Sequence, residues 1–424
     1  MNLSDKTGLI LRQKISMIRK NIVAVTSSYT RYPGDATAPF VKSICDQLAE
    51  YGHKIEVIAP YDPDIKPMDY GIVHVNRYKY IWPDRLHRMG HSRSMDSDSR
   101  IRLLSYFLLP FFLLSGILTL WRITSRHKAE VIYAHWVVPN GLIAAVVSRI
   151  TGIPYIISLH GSDIFVAKKN RLIAKCARWI FSGSSAVTAC SRDLRDAAVE
   201  LGAPENTQLV AWGADPARFS PNLRARAPIE KNITDQPLRI TSLGRLVEKK
   251  GFTFLISALP SVIKEFPNVQ LVIGGNGPLL NRLKHQADEM KVTNYIQFPG
   301  EINWEKVPEF LANSDIFVLP SIPDRHGNVD GLPTVLLEAM GSAVPVIASD
   351  IGGVNLVLNN GINGMIIPPG DSGAIENSII RLIRDKEMRR NLGKAARDSV
   401  LNEYNWRSVC QQISKLLNEA ALAN

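Results

Sequence analysis

The sequence is poor in cysteine, and this excludes two common ways of stabilising a fold. Its 424 residues include four cysteines, which lie far apart and form no CxxC pair. A disulfide framework or a structural zinc site needs closer and paired spacing, so neither is expected. This cysteine usage fits a reducing cytosol best. The cysteines are Cys45, Cys176, Cys190 and Cys410.

Glycine is also scarce where a dinucleotide would need it. The loop after the first apolar run, Asn21–Ser28, holds one glycine, Gly34, instead of GxGxxG. Since that turn is what lets the backbone approach a dinucleotide, a nicotinamide or flavin cofactor is unsupported, and no cofactor is expected. The first twenty residues contain no uninterrupted apolar segment, so no signal peptide is predicted.

The formal charge of +11 is not accompanied by any nucleic-acid motif. No zinc finger, RNP sequence or RGG tract is present, so nucleic acid is not an expected partner. The positive charge instead suits an anionic membrane surface or a phosphorylated substrate.

The length and the order of apolar runs predict two α/β domains. A chain of 424 residues is too long for one core. Strand-like and helix-like stretches alternate, pause at a charged, proline-containing segment at about 221–236, and then alternate again. We expect an N-terminal domain at 1–225 and a C-terminal domain at 236–404. The last helix, about 405–424, is a candidate to pack back on the first domain.

Leu103–Trp121 is an uncharged stretch of nineteen residues, long enough to span a membrane. Basic residues flank it on both sides, and the strands before and after it resemble members of one sheet. We therefore predict a helix, kinked at Pro110, that packs partly on its domain and partly into one membrane leaflet. The preceding segment, 84–102, contains the DxD triplet Asp96-Ser97-Asp98 among Ser and Arg, and is interpreted as a solvated loop. No metal site is expected.

The stretch Asp315–Glu338 combines a strand, a polar loop and an apolar helix. Seven residues separate Asp330 from Glu338, and the backbone N–H groups of Thr334 and Val335 lie near the helix start, where a phosphate can bind. This layout suits a nucleotide-sugar. The alternative is a surface acidic pair beside an ordinary turn.

Arg245 and Lys250 lie five positions apart between a strand and a helix. Two cations at a strand end suit a diphosphate leaving group, with Arg supplying a planar fork and Lys a point charge. A solvated basic turn is the alternative.

Several motifs together resemble the retaining glycosyltransferases of family 4, and the resemblance covers nearly the whole chain. It implies the GT-B fold, in which two Rossmann-like, doubly wound domains face each other across a cleft. It also implies a donor-binding second half and an acceptor-binding first half. The motifs are GRLVEKKG, IGGNGP, DIFVLPS, DGLPTVLLEAM, PVIAS, NGMIIPPGD and SLHGSD.

On the donor side, the resemblance assigns Arg245 and Lys250 to the diphosphate and Glu338 to the ribose. The family's motif has two glutamates, and Asp330 stands where the first belongs, as a catalytic-site carboxylate. Gly34 matches a position where the family often has a glycine pair, and here the second residue is Asp35. The backbone at Gly34 is expected to approach the phosphate.

His160 matches the family's histidine beside the transferred sugar and is the second catalytic candidate. A histidine at a strand end can donate to a sugar hydroxyl. A local hydrogen bond to Asp163 is the alternative role. His135 is assigned to the acceptor side.

These residues predict a retaining, metal-independent glycosyltransferase that moves a sugar from a nucleotide-sugar to a saccharide or polyprenol-linked acceptor, in surface polysaccharide synthesis. The expected location is cytoplasmic, at the inner face of the cell membrane. Alternatives are a nucleotide-sugar epimerase, a phosphorylase-like enzyme, or a membrane scaffold that binds sugar nucleotides without turnover.

Overall fold

The computed structural model describes residues 18–423, apart from 36, 92, 94, 98, 99, 102, 226–236 and 326. Most of the segment examined for a signal peptide, Asp98 of the DxD triplet and much of the predicted linker therefore lie outside the described residues. The chain divides into two compact units. The first runs to Val210 and resumes at Trp406, and the second is Ala211–Asn405.

The first unit is built on a seven-stranded parallel sheet in the order β3-β2-β1-β6-β7-β8-β9. Helices cover a parallel sheet on both faces, which is why the central strands of this sheet are almost completely buried. The strands are β1 (Asn21–Val25), β2 (Lys54–Pro60), β3 (His74–Tyr78), β4 (Met95–Ser97), β5 (Arg100–Ile101), β6 (Val131–His135), β7 (Tyr155–Leu159), β8 (Ala186–Ala189) and β9 (Gln208–Leu209). The helices are α1 (Pro39–Glu50), α2 (Leu103–Arg126), α3 (Leu142–Thr151), α4 (Ser162–Lys169), α5 (Arg171–Ser182) and α6 (Arg192–Glu200).

The second unit has a six-stranded parallel sheet in the order β12-β11-β10-β13-β14-β15. Its strands are β10 (Leu238–Leu243), β11 (Val269–Gly274), β12 (Ile296–Gln297), β13 (Ile316–Leu319), β14 (Val346–Ser349) and β15 (Met365–Ile367). Its helices are α7 (Phe252–Glu265), α8 (Leu280–Glu289), α9 (Val307–Ala312), α10 (Thr334–Gly341), α11 (Val354–Val357), α12 (Ser372–Arg384) and α13 (Lys386–Asn402).

The final helix, α14 (Trp406–Leu422), belongs to the first unit. His53 Nε2 lies 2.8 Å from the hydroxyl of Ser414, and the hydroxyl of Tyr51 donates to the carbonyl of Arg407 (2.5 Å). Cys410 and Leu417 on the same helix are fully buried. The first unit is therefore completed by a segment that follows the second unit in the chain.

Two segments differ from the prediction. The first strand ends at Val25 and not at Ser28, because Ser28 N–H donates to the Thr26 hydroxyl, which donates to Ser28 O, and this closes a turn. The stretch 84–102 was predicted as a loop, and this was wrong where β4 and β5 pair antiparallel, with Met95 opposite Ile101.

Within the described part of the chain, one helix is long and apolar enough to cross a membrane by length and composition. This is α2, which continues through Pro110 to Arg126. Its inner face includes Leu108, Phe112 and Leu120, all fully buried in the unit. Its outer face exposes a row of large apolar side chains: Leu104, Tyr106, Phe107, Phe111, Leu114, Leu118 and Trp121.

Each sheet contains one point at which the order of strands reverses. β1 pairs with β2 on one side and β6 on the other, and β10 pairs with β11 and β13. Connections leave such a point toward opposite faces of the sheet, which opens a crevice beyond the carboxyl ends of the strands. The predicted site residues lie at or after the carboxyl ends of β1, β6, β7, β10 and β13.

Candidate active site

Arg245 leaves the second sheet at the carboxyl end of β10, and its side chain is exposed. The neighbouring strand end holds this backbone in place, since Gly244 N–H donates to Gly274 O (3.0 Å). Gly275 has a φ of 130°, and a Cβ at this position would overlap the carbonyl oxygen of Gly244. The glycines of IGGNGP therefore allow two loops to touch where Arg245 emerges.

Asp330 receives two lysine side chains, one on each carboxylate oxygen. Lys249 Nζ lies 2.8 Å from Oδ1, and Lys250 Nζ lies 2.6 Å from Oδ2. Burial alone would raise the pKa of Asp330, but Lys250 and Lys249 outweigh it and hold the pKa well below its usual range. The carboxylate is therefore ionised at neutral pH. Lys249 was not predicted as a site residue, although it lies inside the GRLVEKKG motif.

Two glycines bring these three side chains together. Gly251 follows the lysines with a φ of 64°, and a Cβ there would overlap Pro320 O, at the end of β13. Gly352 has a φ of 62°, and a Cβ there would overlap the carbonyl oxygen of Asp330. Both positions combine a left-handed backbone with a close backbone approach, which only glycine accommodates without strain.

α10 begins at Thr334, directly after the loop that carries Asp330. Thr334 and Val335 are half-buried at its first turn, where backbone N–H groups have no partner within the helix. Glu338, one turn later, is 5% exposed. Burial raises the pKa of Glu338 to about 7, although Arg218 and a hydrogen bond with Thr334 act in the opposite direction. At neutral pH this side chain is available in both protonation states.

Arg218 is the other residue that sequence reasoning missed. Its guanidinium lies 4.4 Å from the centre of the Trp304 ring and donates to Trp304 O (2.8 Å). This fixed cation is the charge that favours the ionised form of Glu338. Its segment, GADPARF, lies outside the motifs that carry the family resemblance, so nothing local marked it.

In the first unit, Gly34 lies in the loop after β1 with a φ of 82°. Asp35 does not point its carboxylate out of this loop. It accepts from Arg31 Nε (2.8 Å) and Nη2 (3.1 Å) and from the backbone N–H of Thr37 (3.0 Å). These contacts lower the pKa of Asp35 to about 2 against the opposing effect of burial. Asp35, at the family's second glycine, therefore braces the loop that contains Gly34.

His135 and His160 form a buried pair at the ends of adjacent strands β6 and β7. His135 Nδ1 lies 3.1 Å from His160 Nε2, and the rings stack with centres 5.3 Å apart. Burial lowers the pKa of His135 to about 3. Burial, and then His135, hold the pKa of His160 well below its usual range. At neutral pH both rings are uncharged, so the pair offers an N–H donor without a positive charge.

Asp163 was the alternative partner for His160, and its carboxylate contacts the backbone instead. It accepts from the N–H groups of Val137 (2.8 Å) and Gly161 (3.1 Å). These bonds join the residues after β6 to those after β7, which keeps the two histidines side by side.

The structure thus brings the predicted residues together in two separate groups. Within the second unit, Lys250 contacts Asp330, and Thr334 bonds Glu338. Within the first unit, His135 contacts His160. Among the described residues, no group of three or more His, Cys, Asp or Glu side chains is arranged to hold a metal ion.

Two family models match the chain. Residues 36–213 match the glycosyl transferase 4-like domain, and residues 224–399 match the glycosyl transferases group 1 domain. The chain belongs to the group 1 glycosyltransferases and has the GT-B fold, as the sequence motifs predicted.

Two relatives and one solved structure are similar to this chain, and the solved structure shows the fold alone. The GDP-mannose-dependent alpha-(1-6)-phosphatidylinositol monomannoside mannosyltransferase of Mycolicibacterium smegmatis is 30% identical over 302 residues, which is 70% of this chain and 78% of that protein. The putative teichuronic acid biosynthesis glycosyltransferase TuaC of Bacillus subtilis is 31% identical, over 59% of this chain and 61% of its own. The structure of sucrose-phosphate synthase from Thermosynechococcus elongatus matches with a TM-score of 0.73 and 20% identity, covering 96% of this chain and 100% of that one.

The chain is a glycosyltransferase. The alternatives of an epimerase, a phosphorylase-like enzyme or a scaffold without turnover receive no support from these relatives.

The neutral histidine pair predicts a loss of stability in acid. Histidine in the unfolded chain has a pKa of about 6.5, whereas His135 in the folded chain has a pKa of about 3. Between these two values the unfolded chain therefore binds a proton at this residue and the folded chain does not. Protonation of the unfolded chain therefore lowers the free energy of unfolding as pH falls below about 6.5. When the pH is lowered from 7 to 5, the free energy of unfolding should fall by about 1–2 kcal/mol less in His135→Gln than in the wild type.

Urea denaturation at both pH values measures this effect. His285→Gln, which removes a histidine that is 73% exposed, is the matched control and should keep the wild-type difference. An unchanged difference in His135→Gln would show that the pair does not resist protonation.

Proposed function

We propose that the second unit binds a nucleotide-sugar donor at the β10/β13 switch point. The observation that carries the proposal is the joint placement of Lys250, Asp330 and the α10 N-terminus at this edge of the sheet. Fixed cations and free backbone N–H groups suit a diphosphate, and carboxylates beside them suit hydroxyl groups. The mycobacterial relative, which is GDP-mannose-dependent by name, supports a donor of this chemical class.

In this proposal each side chain has one task. Arg245 and Lys250 bind the diphosphate together with the N–H groups of Thr334 and Val335. Glu338 accepts from the ribose hydroxyls in its ionised form, which Arg218 favours. Asp330 accepts from a hydroxyl of the transferred sugar while it remains bound to lysine.

For the first unit, the family resemblance assigns the backbone at Gly34 to the phosphate, and it assigns the N–H of His160 to a hydroxyl of the transferred sugar. The neutral ring suits this task, because it adds no positive charge and can both donate and accept. His135 holds the tautomer of His160 through their shared hydrogen bond, on the acceptor side.

The chemistry that follows is retention by attack from the face that the diphosphate leaves. The departing phosphate helps to deprotonate the acceptor hydroxyl, and Arg245 and Lys250 stabilise the charge that develops on it. The proposal requires no metal and no cofactor.

We also propose a saccharide or polyprenol-linked acceptor in surface polysaccharide synthesis, and a cytoplasmic enzyme held at the inner membrane face. The similarity to TuaC, a putative teichuronic acid biosynthesis glycosyltransferase by name, supports a role in polysaccharide synthesis. The exposed apolar face of α2 supports the location. α2 connects strands of one parallel sheet and buries its other face on that sheet, which supports attachment to one leaflet without crossing.

Loss of either phosphate-binding cation should slow the chemical step. Preorganised groups of this kind act on the transition state, so Lys250→Ala and Arg245→Ala should each lower kcat by about 10²–10³, with a smaller effect on KM. Lys264→Ala, at an exposed position of α7, should retain wild-type turnover. EDTA should leave the wild type active, and abolition of turnover by EDTA would refute side-chain neutralisation. An inverted anomeric configuration in the product would refute retention.

Donor affinity should depend on the protonation of Glu338. Because its pKa is raised to about 7, the accepting carboxylate becomes populated as pH rises from 6 to 8, and donor KM should fall over that range. A nucleotide-sugar is the right probe, because the charge on its diphosphate does not change between pH 6 and pH 8. Glu338→Gln should lose this pH dependence. Glu338→Ala should weaken donor binding by about 1.5–3 kcal/mol, and a fully active variant would show that the carboxylate has no part in binding.

Membrane attachment should depend on the outer face of α2. Replacing Phe107 and Phe111 by Ser removes two exposed aromatic side chains and should lower binding to phosphatidylglycerol vesicles at least about tenfold. The control is Leu172→Ser, which removes an apolar side chain that is 77% exposed on α5. High salt or carbonate should release much of the bound wild type. Resistance to both, with the flanks of α2 accessible from opposite sides, would show a spanning helix.

A further inference from the structure

The two lysines that contact Asp330 have different roles once a donor is bound. Both ammonium groups are close to the carboxylate, and all three side chains are 14–15% exposed. Under the proposed function, on which this inference rests, the diphosphate attracts Lys250. A buried carboxylate that lost its only cation would be strongly disfavoured, so Asp330 needs a second one.

Backbone contacts hold Lys249 in its position next to Asp330. Its carbonyl oxygen accepts from Ile322 N–H (2.9 Å), which ties the lysine turn to the loop after β13. Gly251, packed against Pro320, fixes the other end of the turn. Its ammonium group contacts Oδ1, whereas Lys250 contacts Oδ2, so one lysine can leave while the other keeps its contact.

We propose that Lys249 is a positioning residue that retains the Asp330 carboxylate and thereby releases Lys250 to the diphosphate of the donor. Without Lys249, Asp330 and the diphosphate compete for one ammonium group. The competition destabilises the bound donor and the transition state by the same amount. It therefore raises donor KM and leaves kcat nearly unchanged, in contrast to loss of Lys250 itself.

The experiment is a double-mutant cycle on donor KM. Wild type, Lys249→Met, Asp330→Asn and the double variant are assayed with UDP-glucose, UDP-N-acetylglucosamine and GDP-mannose, and the donor that the wild type uses is then titrated. Lys249→Met should raise donor KM about tenfold and change kcat less than about threefold. Asp330→Asn removes the competing charge, so the double variant should have the donor KM of Asp330→Asn alone.

Two further variants separate this role from general effects. Lys249→Arg keeps the cation and should retain a donor KM within about threefold of wild type. Lys306→Met removes an exposed lysine of the same unit and should leave both constants unchanged. If Lys249→Met fails to fold, Lys249→Gln takes its place in the same cycle.

The outcomes are distinct. If the wild type is active and Lys249→Met has an unchanged donor KM, the proposed role of Lys249 is wrong. Additive effects in the cycle would also show this. Neither result contradicts the proposed donor site. A fall in kcat equal to that of Lys250→Ala also overturns the role of Lys249, because Lys249 would then act in the transition state. A wild type that neither binds nor turns over any nucleotide-sugar overturns the proposed function itself.

Discussion

The constraint on which the whole structure depends is the burial of two parallel sheets on both faces. Strands such as β6 and β13 are buried along their entire length, so a polar side chain that must meet a ligand can lie only at their ends. Charged and hydrogen-bonding groups are left to the strand ends, and the reversal of strand order opens a crevice at one of those ends. The placement of Arg245 after β10 and of His135 at the end of β6 follows from this constraint.

The two units solve the problem of burying titratable groups in opposite ways. The histidine pair of the first unit is uncharged, because burial disfavours the imidazolium form of both rings, and the two rings contact each other at hydrogen-bond distance. The carboxylate of Asp330 in the second unit is charged, because two cations compensate it. Glu338 lies between these extremes, with one cation in its neighbourhood and a pKa near neutrality. The number of nearby opposite charges thus decides which groups titrate in the physiological range.

The sequence predicted what is encoded locally. The apolar run KIEVIAP forms the strand Lys54–Pro60, and Ser191, directly before α6, caps that helix by accepting from Leu194 N–H. GRLVEKKG marked Lys250 because a strand end, two cations and a helix start lie within a few residues. The double-wound architecture followed in the same way from the alternation of runs.

What the sequence did not show depends on contacts between distant segments. The bond from Lys249 to Asp330 joins residues eighty-one positions apart, and it exists because Gly251 and Gly352 let three loops meet. The pairing of His135 with His160 depends on the register of β6 and β7, which apolar runs do not specify. Arg218 lies in a segment without a motif, and only its contact with Trp304 reveals that it is a fixed cation.

The return of α14 to the first unit has a consequence for biosynthesis. α14 packs against α1, β6 and β7, so the part of the N-terminal sheet that it covers at β6 and β7 stays uncovered until this helix has left the ribosome. Between Val210 and Leu422 lies the entire second unit, and at about 5–20 residues per second its translation takes roughly 10–40 s. During that interval the nascent sheet exposes apolar strands that the finished protein conceals. The second unit is one continuous segment, so it can fold before the first unit is complete.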